Sequence, residues 1–508
     1  MVAVPPVAAQ NCVEVHRVEL SGVTRLDVAT LQAGFSDHLG CMGIEELNIL
    51  LEQVTLAYVE AGYIAARAYL PEQDLSDGSL TIAVIEGRVS EVVVRENGNP
   101  APSRATTAFP GMVDRPVELR RLEQGLAQIN RLPSSDATSQ LSPGAEAGDS
   151  IIDVNVNQAR PWRANVTMDN RGTSSTGENN FGLGFSYDDL LGVNDQWTVS
   201  YQRSMDQSPL AFGTDTPVGN AYSLAGSLPY GFWTFGISLS ASDYIIDIPG
   251  ISGAIESSGQ SQTARVYAER LLSLSETSRW DAGIALRWSD NENQILGARI
   301  DTASRRLTVL DTYVRHARPV LGGEFDATLT LRNGLEFFGA FDDDDAPVGS
   351  PIAQYTAFLL DVLFRRPWQI GDQGVLLSSR VLMQHSDDNL FGSEQFSIGG
   401  FGSVRGSRTS VLFGNRGVQF INTLSAPNAW EFGENVALTP YIGLDAGHIF
   451  AQSEFGIAGG TLASYSVGIT LTRPQFRVDA LYSKVFSAPS AAQVSQNGLF
   501  TLQAQLTF

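Results

Sequence analysis

From about residue 160 onward, apolar and polar side chains alternate strictly, segment after segment. Trp162, Ala164, Val166 and Met168 face one way, and Arg163, Asn165, Thr167 and Asp169 the other. The dyad returns in Phe181/Leu183/Phe185/Tyr187, in Trp233/Phe235/Ile237/Leu239 and in Ala282/Ile284/Leu286/Trp288, where Arg287 points the opposite way. A period of two predicts β-strands, because successive strand side chains point to opposite faces. No long helical face interrupts this stretch.

The first part of the chain has a different rhythm. A strand at His16–Leu20 leads into a helix carrying Val28, Leu31, Phe35 and Leu39, then a second carrying Leu47, Leu51, Val54 and Tyr58 and stopping at Gly62. Strands follow at Ala65–Leu70 and Ser79–Gly87, separated by the turn-rich text 71–78. A compressed second copy has helical spacing at Leu119, Leu122, Leu126, Ile129 and Leu132, ended by Pro133, and a last strand at Ile151–Asn157. Between them, Pro133–Gly148 reads as loop. The pattern divides the chain into a short tail (1–11), two small α/β modules (12–97 and 98–158) and a long all-β region (159–508).

Alternation alone fits a soluble sandwich as well as a membrane barrel. Three features favour the barrel. Aromatic residues gather near strand ends (Trp162, Tyr230, Phe232, Trp233, Trp288), as at membrane interfaces. The loops are polar and rich in Gly and Asp, such as Phe341–Asp345. The final strand carries Phe500, Leu502, Ala504, Leu506 and Phe508 on one face and stops on Phe508, which marks Phe508 as the closing residue. At about 20–22 residues per strand and connection, the region holds roughly sixteen strands. The fold class is therefore mainly β, a transmembrane antiparallel barrel preceded by two small α/β domains.

Composition sharpens this picture. Only 17% of the 508 residues are charged, and no apolar run is long enough for a membrane helix, so a bilayer crossing must use strands. With 33 basic against 55 acidic residues, the net charge of −22 argues against nucleic acid as a partner. Cys12 and Cys41 suit one disulfide in an oxidising compartment, two free buried thiols being the other reading. No basic segment with an apolar stretch opens the chain, so no signal peptide is expected as the sequence stands.

At this point the chain resembles the two-partner secretion transporters, the haemolysin-secretion branch of the POTRA-domain outer-membrane barrels. The first module is similar to the family's first POTRA domain in Cys12, Tyr58–Tyr63, Arg67–Leu75 and Glu86-Gly-Arg88. The second resembles its second POTRA domain in Pro110-Gly111, Leu122-Glu-Gln124 and Ile129–Pro133. The barrel entry matches in Asp169-Asn-Arg-Gly172, Thr176-Gly177 and Leu190-Leu-Gly192. The most specific match is Gly399–Gly406, with Val404-Arg405-Gly406 placed by the resemblance at the tip of an inward-folded loop (about 391–415) between strands eleven and twelve. Its counterpart is Gly443-Leu-Asp-Ala-Gly447, which implies a lumenal salt bridge between Arg405 and Asp445. Elementary chemistry agrees. Gly400, Gly402 and Gly406 allow a tight turn, guanidinium matches carboxylate bidentately, and Gly443 and Gly447 clear room for the tip. An exposed loop arginine with an unrelated aspartate is the alternative. Ser407 departs from the family, which often has an aromatic there, and only some eleven residues precede Cys12 where relatives often carry a plug helix.

No catalytic residue is assigned. Gly400-Phe-Gly402 lacks the third glycine and strand–helix setting of a dinucleotide loop, no nucleophile elbow occurs, and the five histidines have no zinc spacing. Neither metal nor cofactor is expected, and the Asp342–Asp345 run reads as solvated loop rather than a calcium site. The resemblance implies an outer-membrane transporter with periplasmic POTRA domains, passing a large secreted exoprotein of adhesin or haemolysin type outward without ATP. Lipids of the outer membrane and its assembly machinery are the other expected partners. An insertase for other barrels and a passive porin are the competing readings.

Overall fold

A computed structural model describes residues 12–35, 39–206, 218–250, 253–275, 277–344, 346–433, 435–490, 492, 494 and 497–508. The tail 1–11 and Asp345 lie outside the described residues. The chain divides into two compact units: residues 1–160 with the short segments Asp189–Asn194 and Pro229–Gly231, and the remainder.

In the first unit, β1 (Val13–Val15) pairs with β3 (Gly40–Met42), and β2 (Arg17–Ser21) lies parallel to β5 (Ser79–Ile85), whose other side holds β4 (Arg67–Tyr69). Helices α1 (Val28–Ala33) and α2 (Ile44–Glu60) complete this module. Asp27 caps α1 by accepting from the Thr30 N–H at 2.9 Å, and Glu46 accepts from the Gly43 N–H at the start of α2 at 2.9 Å. Of the expected face of α2, Val54 and Tyr58 are buried, with Leu50 beside them, against Leu80, Ile82 and Val84 of β5, while Leu47 and Leu51 are only partly buried. Helix α1 is shorter than expected, since it ends before Phe35, which is buried, and Leu39, which is exposed.

The second module corrects two expectations. Strand β6 (Arg88–Glu96), assigned by sequence to the first module, lies parallel to β9 (Asp149–Gln158), so the join falls near Gly87 rather than 97. The expected loop 133–148 contains β8 (Ser135–Pro143), which pairs antiparallel with β9. Its sequence hid it because only Ala137 of β8 is buried. With β7 (Asn99–Pro100) the sheet runs β7-β6-β9-β8, and α3 (Pro102–Ala108) and α4 (Leu119–Asn130) cover it through Ala108 of the former and Leu122 and Ile129 of the latter.

The second unit is a closed antiparallel barrel of 16 principal strands. They are β10 (Trp162–Asp169), β11 (Asn179–Asp188), β12 (Gln196–Met205), β13 (Val218–Tyr230), β14 (Trp233–Gly250), β15 (Gly253–Ser275), β16 (Ser278–Ile295) and β17 (Arg305–Val320). The ring continues through β18 (Gly323–Leu335), β19 (Thr356–Ile370), β20 (Gln373–His385), β21 (Gly417–Ser425), β22 (Val436–Ile449), β23 (Gly460–Arg473), β24 (Phe476–Ser487) and β25 (Leu499–Thr507). Strand β25 pairs with β10, and Phe508 finishes the seam by donating its N–H to the Ala164 carbonyl at 2.8 Å. One face of each strand is apolar and outward, as with Leu183, Phe235, Ile284, Leu329, Ile442 and Leu502, all exposed. A closed ring leaves no sheet edge within the bilayer, which is why strands can cross there. No described helix is long and apolar enough to cross a membrane.

Candidate functional site: a loop braced inside the barrel

The connection between β20 and β21, the eleventh and twelfth barrel strands, carries the site. It contains a small hairpin, Phe396–Gly399 paired with Ser410–Gly414, whose tip holds Val404, Arg405 and Gly406. Val404 is fully buried with Ile398, Ile449, Leu462 and Val485, so apolar packing seats the tip. Gly399, Gly400 and Gly406 have φ of 112°, 86° and 109°, whereas Gly402 is not among the positive-φ residues, contrary to expectation. At Gly406 a side chain would meet the β24 backbone at the Val485 nitrogen, 2.9 Å from the added Cβ, so this turn accepts only glycine.

The tip brings Arg405 onto Asp445 of β22. The Arg405 Nε donates to Asp445 Oδ2 at 2.6 Å and Nη2 donates to Oδ1 at 2.7 Å, a parallel two-point match. The Arg405 backbone N–H donates to Oδ2 at 3.2 Å, and the Asn422 N–H donates to Oδ1 at 3.2 Å. Remaining guanidinium hydrogens go to the Asn422 carbonyl at 2.8 Å and the Thr423 hydroxyl at 3.2 Å on β21. Asp445 is 1% exposed, so charge and hydrogen bonds balance inside a site nearly free of water. Gly443 and Gly447 do clear the space: a methyl group at Gly443 would overlap the Arg405 guanidinium, and one at Gly447 would crowd Ile398 at 2.7 Å.

Ser407, standing where the resemblance implied an aromatic, is buried. Its hydroxyl accepts from the Gly400 N–H and donates to the Thr409 carbonyl, each at 3.0 Å, so it braces the turn from within. Arg408, which sequence reasoning missed, donates to the Asn170 and Gly172 carbonyls at 2.7 and 3.3 Å and pairs with Glu178 at 2.8 Å. The motif Asp169–Gly172, noted only as a likeness, thus docks the loop tip. Its own Arg171 pairs with Asp479 of β24 at 2.6 Å and lies over the Phe401 ring. Beside the tip lies a lumenal cavity of about 850 Å³ whose wall carries cross-strand pairs Arg332–Asp311, Arg380–Asp361 and Arg315–Asp326. Alternation could have located these residues on the inner face, but not their partners.

In the first module, Cys12 and Cys41 form a disulfide with Cα atoms 5.3 Å apart. Glu86, part of the Glu86-Gly-Arg88 text, accepts from the Thr24 and Arg25 N–H groups at 2.6 and 2.9 Å and from the Tyr58 hydroxyl at 2.8 Å. Burial opposes ionisation of Glu86, but these hydrogen bonds prevail and hold its carboxyl below its ordinary value. Asp343, from the acidic run, accepts from the Ala353 and Gln354 N–H groups at 2.8 and 2.6 Å and so orders its own loop.

Comparison with known proteins follows the same lines. A POTRA domain of ShlB type matches residues 13–87, and a further POTRA domain matches 88–143. The outer-membrane transporter CdiB of Dickeya dadantii is 30% identical over 474 residues, covering 92% of this chain and 82% of its own. The hemolysin transporter protein ShlB of Serratia marcescens is 27% identical over 479 residues, covering 94% and 83%. The solved structure of CdiB from Escherichia coli superimposes with a TM-score of 0.87 at 28% identity, covering 99% of this chain and 93% of that one. The family described as haemolysin secretion/activation protein ShlB/FhaC/HecB matches residues 148–471, and the chain, with its two POTRA domains and closed outer-membrane barrel, belongs to that family of two-partner secretion transporters.

Proposed function

We propose that this transporter takes an extended, unfolded exoprotein from the periplasm by strand addition to its POTRA region and passes it through the barrel without ATP. The braced loop is the gate, and the Arg405–Asp445 pair is its lock. The observation that carries this reading is the buried two-point match between a loop tip and the inner wall. A passive pore has no use for a plug held this closely. Directionality then comes from folding of the cargo outside, where apolar burial makes return unfavourable.

The edges of the POTRA sheets favour one landing place. On β4 the Ala68 N–H already donates to the Thr55 hydroxyl at 3.2 Å, and Arg67 covers the Ile64 and Ala66 carbonyls at 3.1 and 2.7 Å. On β8, Asn130 occupies both backbone groups of Ala137, at 2.6 and 3.1 Å. Beyond it, the odd-numbered backbone groups of Ser139 and Leu141 point away from β9 and, among the described residues, have no partner. A partner strand extends the sheet there through main-chain hydrogen bonds. The test is co-expression with a candidate large exoprotein: the exoprotein reaches the medium only when the transporter is present. Accumulation of that exoprotein in the periplasm, together with loss of other barrels from the membrane on deletion, identifies an insertase instead.

A further inference from the structure

The base of the inward loop is gripped as well as its tip, at a separate stretch of the barrel wall. Glu394 lies just before the loop hairpin, and its side chain is 1% exposed. Its Oε2 accepts from Arg287 Nη2 of β16 at 2.6 Å and from the Tyr355 hydroxyl at 2.5 Å, with Arg332 Nη1 of β18 at 3.7 Å. Its backbone carbonyl accepts from the Gln384 side chain of β20 at 2.9 Å. Leu390 and Phe391 pack beside it into a cluster with Leu307, Val309, Ala353 and Tyr355.

The placement of the two grips matters. Strand β16, which carries Arg287, is seventh in the ring, and β22, which carries Asp445, is thirteenth, so the two grips stand six places apart in a ring of 16. The loop is therefore held at two separate places on the wall, by a carboxylate at its base and a guanidinium at its tip. Releasing Arg405 alone leaves the base fixed. The Glu394 grip also has the character of a catch: Oε1 is buried without a hydrogen-bond partner among the described residues. A half-satisfied buried carboxylate is held by geometry more than by net stability, since solvation rewards its release.

We propose that Glu394, with Arg287 and Tyr355, is a second latch of the loop, and that the lumen opens fully only when both this latch and the Arg405–Asp445 lock release. The inference rests on the reading of the loop as the movable plug. Glu394 is a positioning residue, acting through the loop rather than on the cargo.

The test uses the full-length protein in planar bilayers, where no cargo is needed. E394Q keeps the shape but removes the charge that binds Arg287, and its open probability rises by about tenfold or more over wild type. The double variant R287Q with E394Q opens no more than E394Q alone, as two partners of one latch require, whereas a generally weakened barrel opens further. Open probability of E394Q equal to wild type, in protein that still migrates as a folded barrel, overturns the proposal. Should E394Q fail to fold, Tyr355→Phe removes one hydrogen bond without stranding a charge, and unchanged opening in that variant overturns it equally. Secretion is scored separately: wild-type protein that exports no exoprotein, while E394Q still opens, defeats the export reading and leaves the latch standing.

Discussion

Arg405 and Asp445 stand 40 residues apart in sequence and meet through two parallel hydrogen bonds of 2.6 and 2.7 Å. The pair joins a loop to a wall rather than two neighbouring strands, so its strength is a property of the loop's position. Arg405→Ala strands Asp445 in a nearly dry site, a cost of about 3–5 kcal/mol, enough to free the tip. Arg405→Lys does not rescue it, because an ammonium makes no planar two-point match. Both variants are expected to raise single-channel opening and to lower the amount of exoprotein in the medium. Wild-type opening in Arg405→Ala contradicts the assignment.

Gly443→Ala tests the same seat without touching charge. The added methyl overlaps the Arg405 guanidinium, and also the Ser466 hydroxyl, whose small side chain can turn aside, so the variant should behave like Arg405→Ala. Since both remove one interaction, the double variant is expected to open no more than either single one. Additive opening would show that Gly443 acts elsewhere.

Leu141→Pro removes an outward N–H from the β8 edge while leaving the β8–β9 ladder, which uses the even-numbered positions, intact. Secretion should fall to background with the barrel still assembled and heat-modifiable. The mirrored change at Gln140, whose N–H faces β9, disrupts the sheet itself and serves as the contrast. Undiminished secretion from Leu141→Pro excludes this edge as the landing site.

Acid should loosen the first POTRA domain at Glu86. Its folded carboxyl sits below its ordinary value, so the ionised form is favoured by folding. That contribution is present above the unfolded value and is lost as pH falls through the folded one. Hydrogen exchange of the Thr24 and Arg25 amides in the full-length protein should therefore accelerate, after correction for intrinsic rates, as pH falls from about 5 toward about 3. Glu86→Gln should remove most of this dependence and cost about 1.5–3 kcal/mol. Equal protection across that range argues against the Glu86 hub.

Replacing Ser407 by Tyr, the kind of residue the resemblance led one to expect there, should weaken this protein. Ser407 is buried and bonded at both ends to its own turn, so a ring forces the tip off Asp445. A loss of about 1–3 kcal/mol is typical of such overpacking. Thermal unfolding of the purified barrel in detergent reads the effect, and an unchanged or raised midpoint refutes it.

How much of this was legible beforehand depended on what kind of pattern each element leaves. The barrel strands were visible because every membrane strand has an apolar outer face, which writes a period of two. Helices α2 and α4 were visible for the equivalent reason at period 3.6. Strand β8 was not, because an edge strand with one buried side chain carries no such imprint. The join at Gly87 was missed because β5 and β6 both alternate, and nothing local says that β6 pairs with β9, some 60 residues on. At the site, Arg405 and Asp445 were found through a likeness in their motifs, with the glycine spacing giving the physical reason. Arg408, Glu394 and Tyr355 carry no local signature. Their meaning lies in partners from distant strands, and only closure of the ring brings those together.

The bare patch that Gly443 and Gly447 leave on β22 has one more consequence. It belongs to a strand hydrogen-bonded on both sides, so it keeps its shape whether or not the tip is seated. The wall is thus a mould. On the gate reading proposed above, a tip released during passage returns to a cast already waiting for it, and the transporter resets by recognition, with no part of the barrel having to refold.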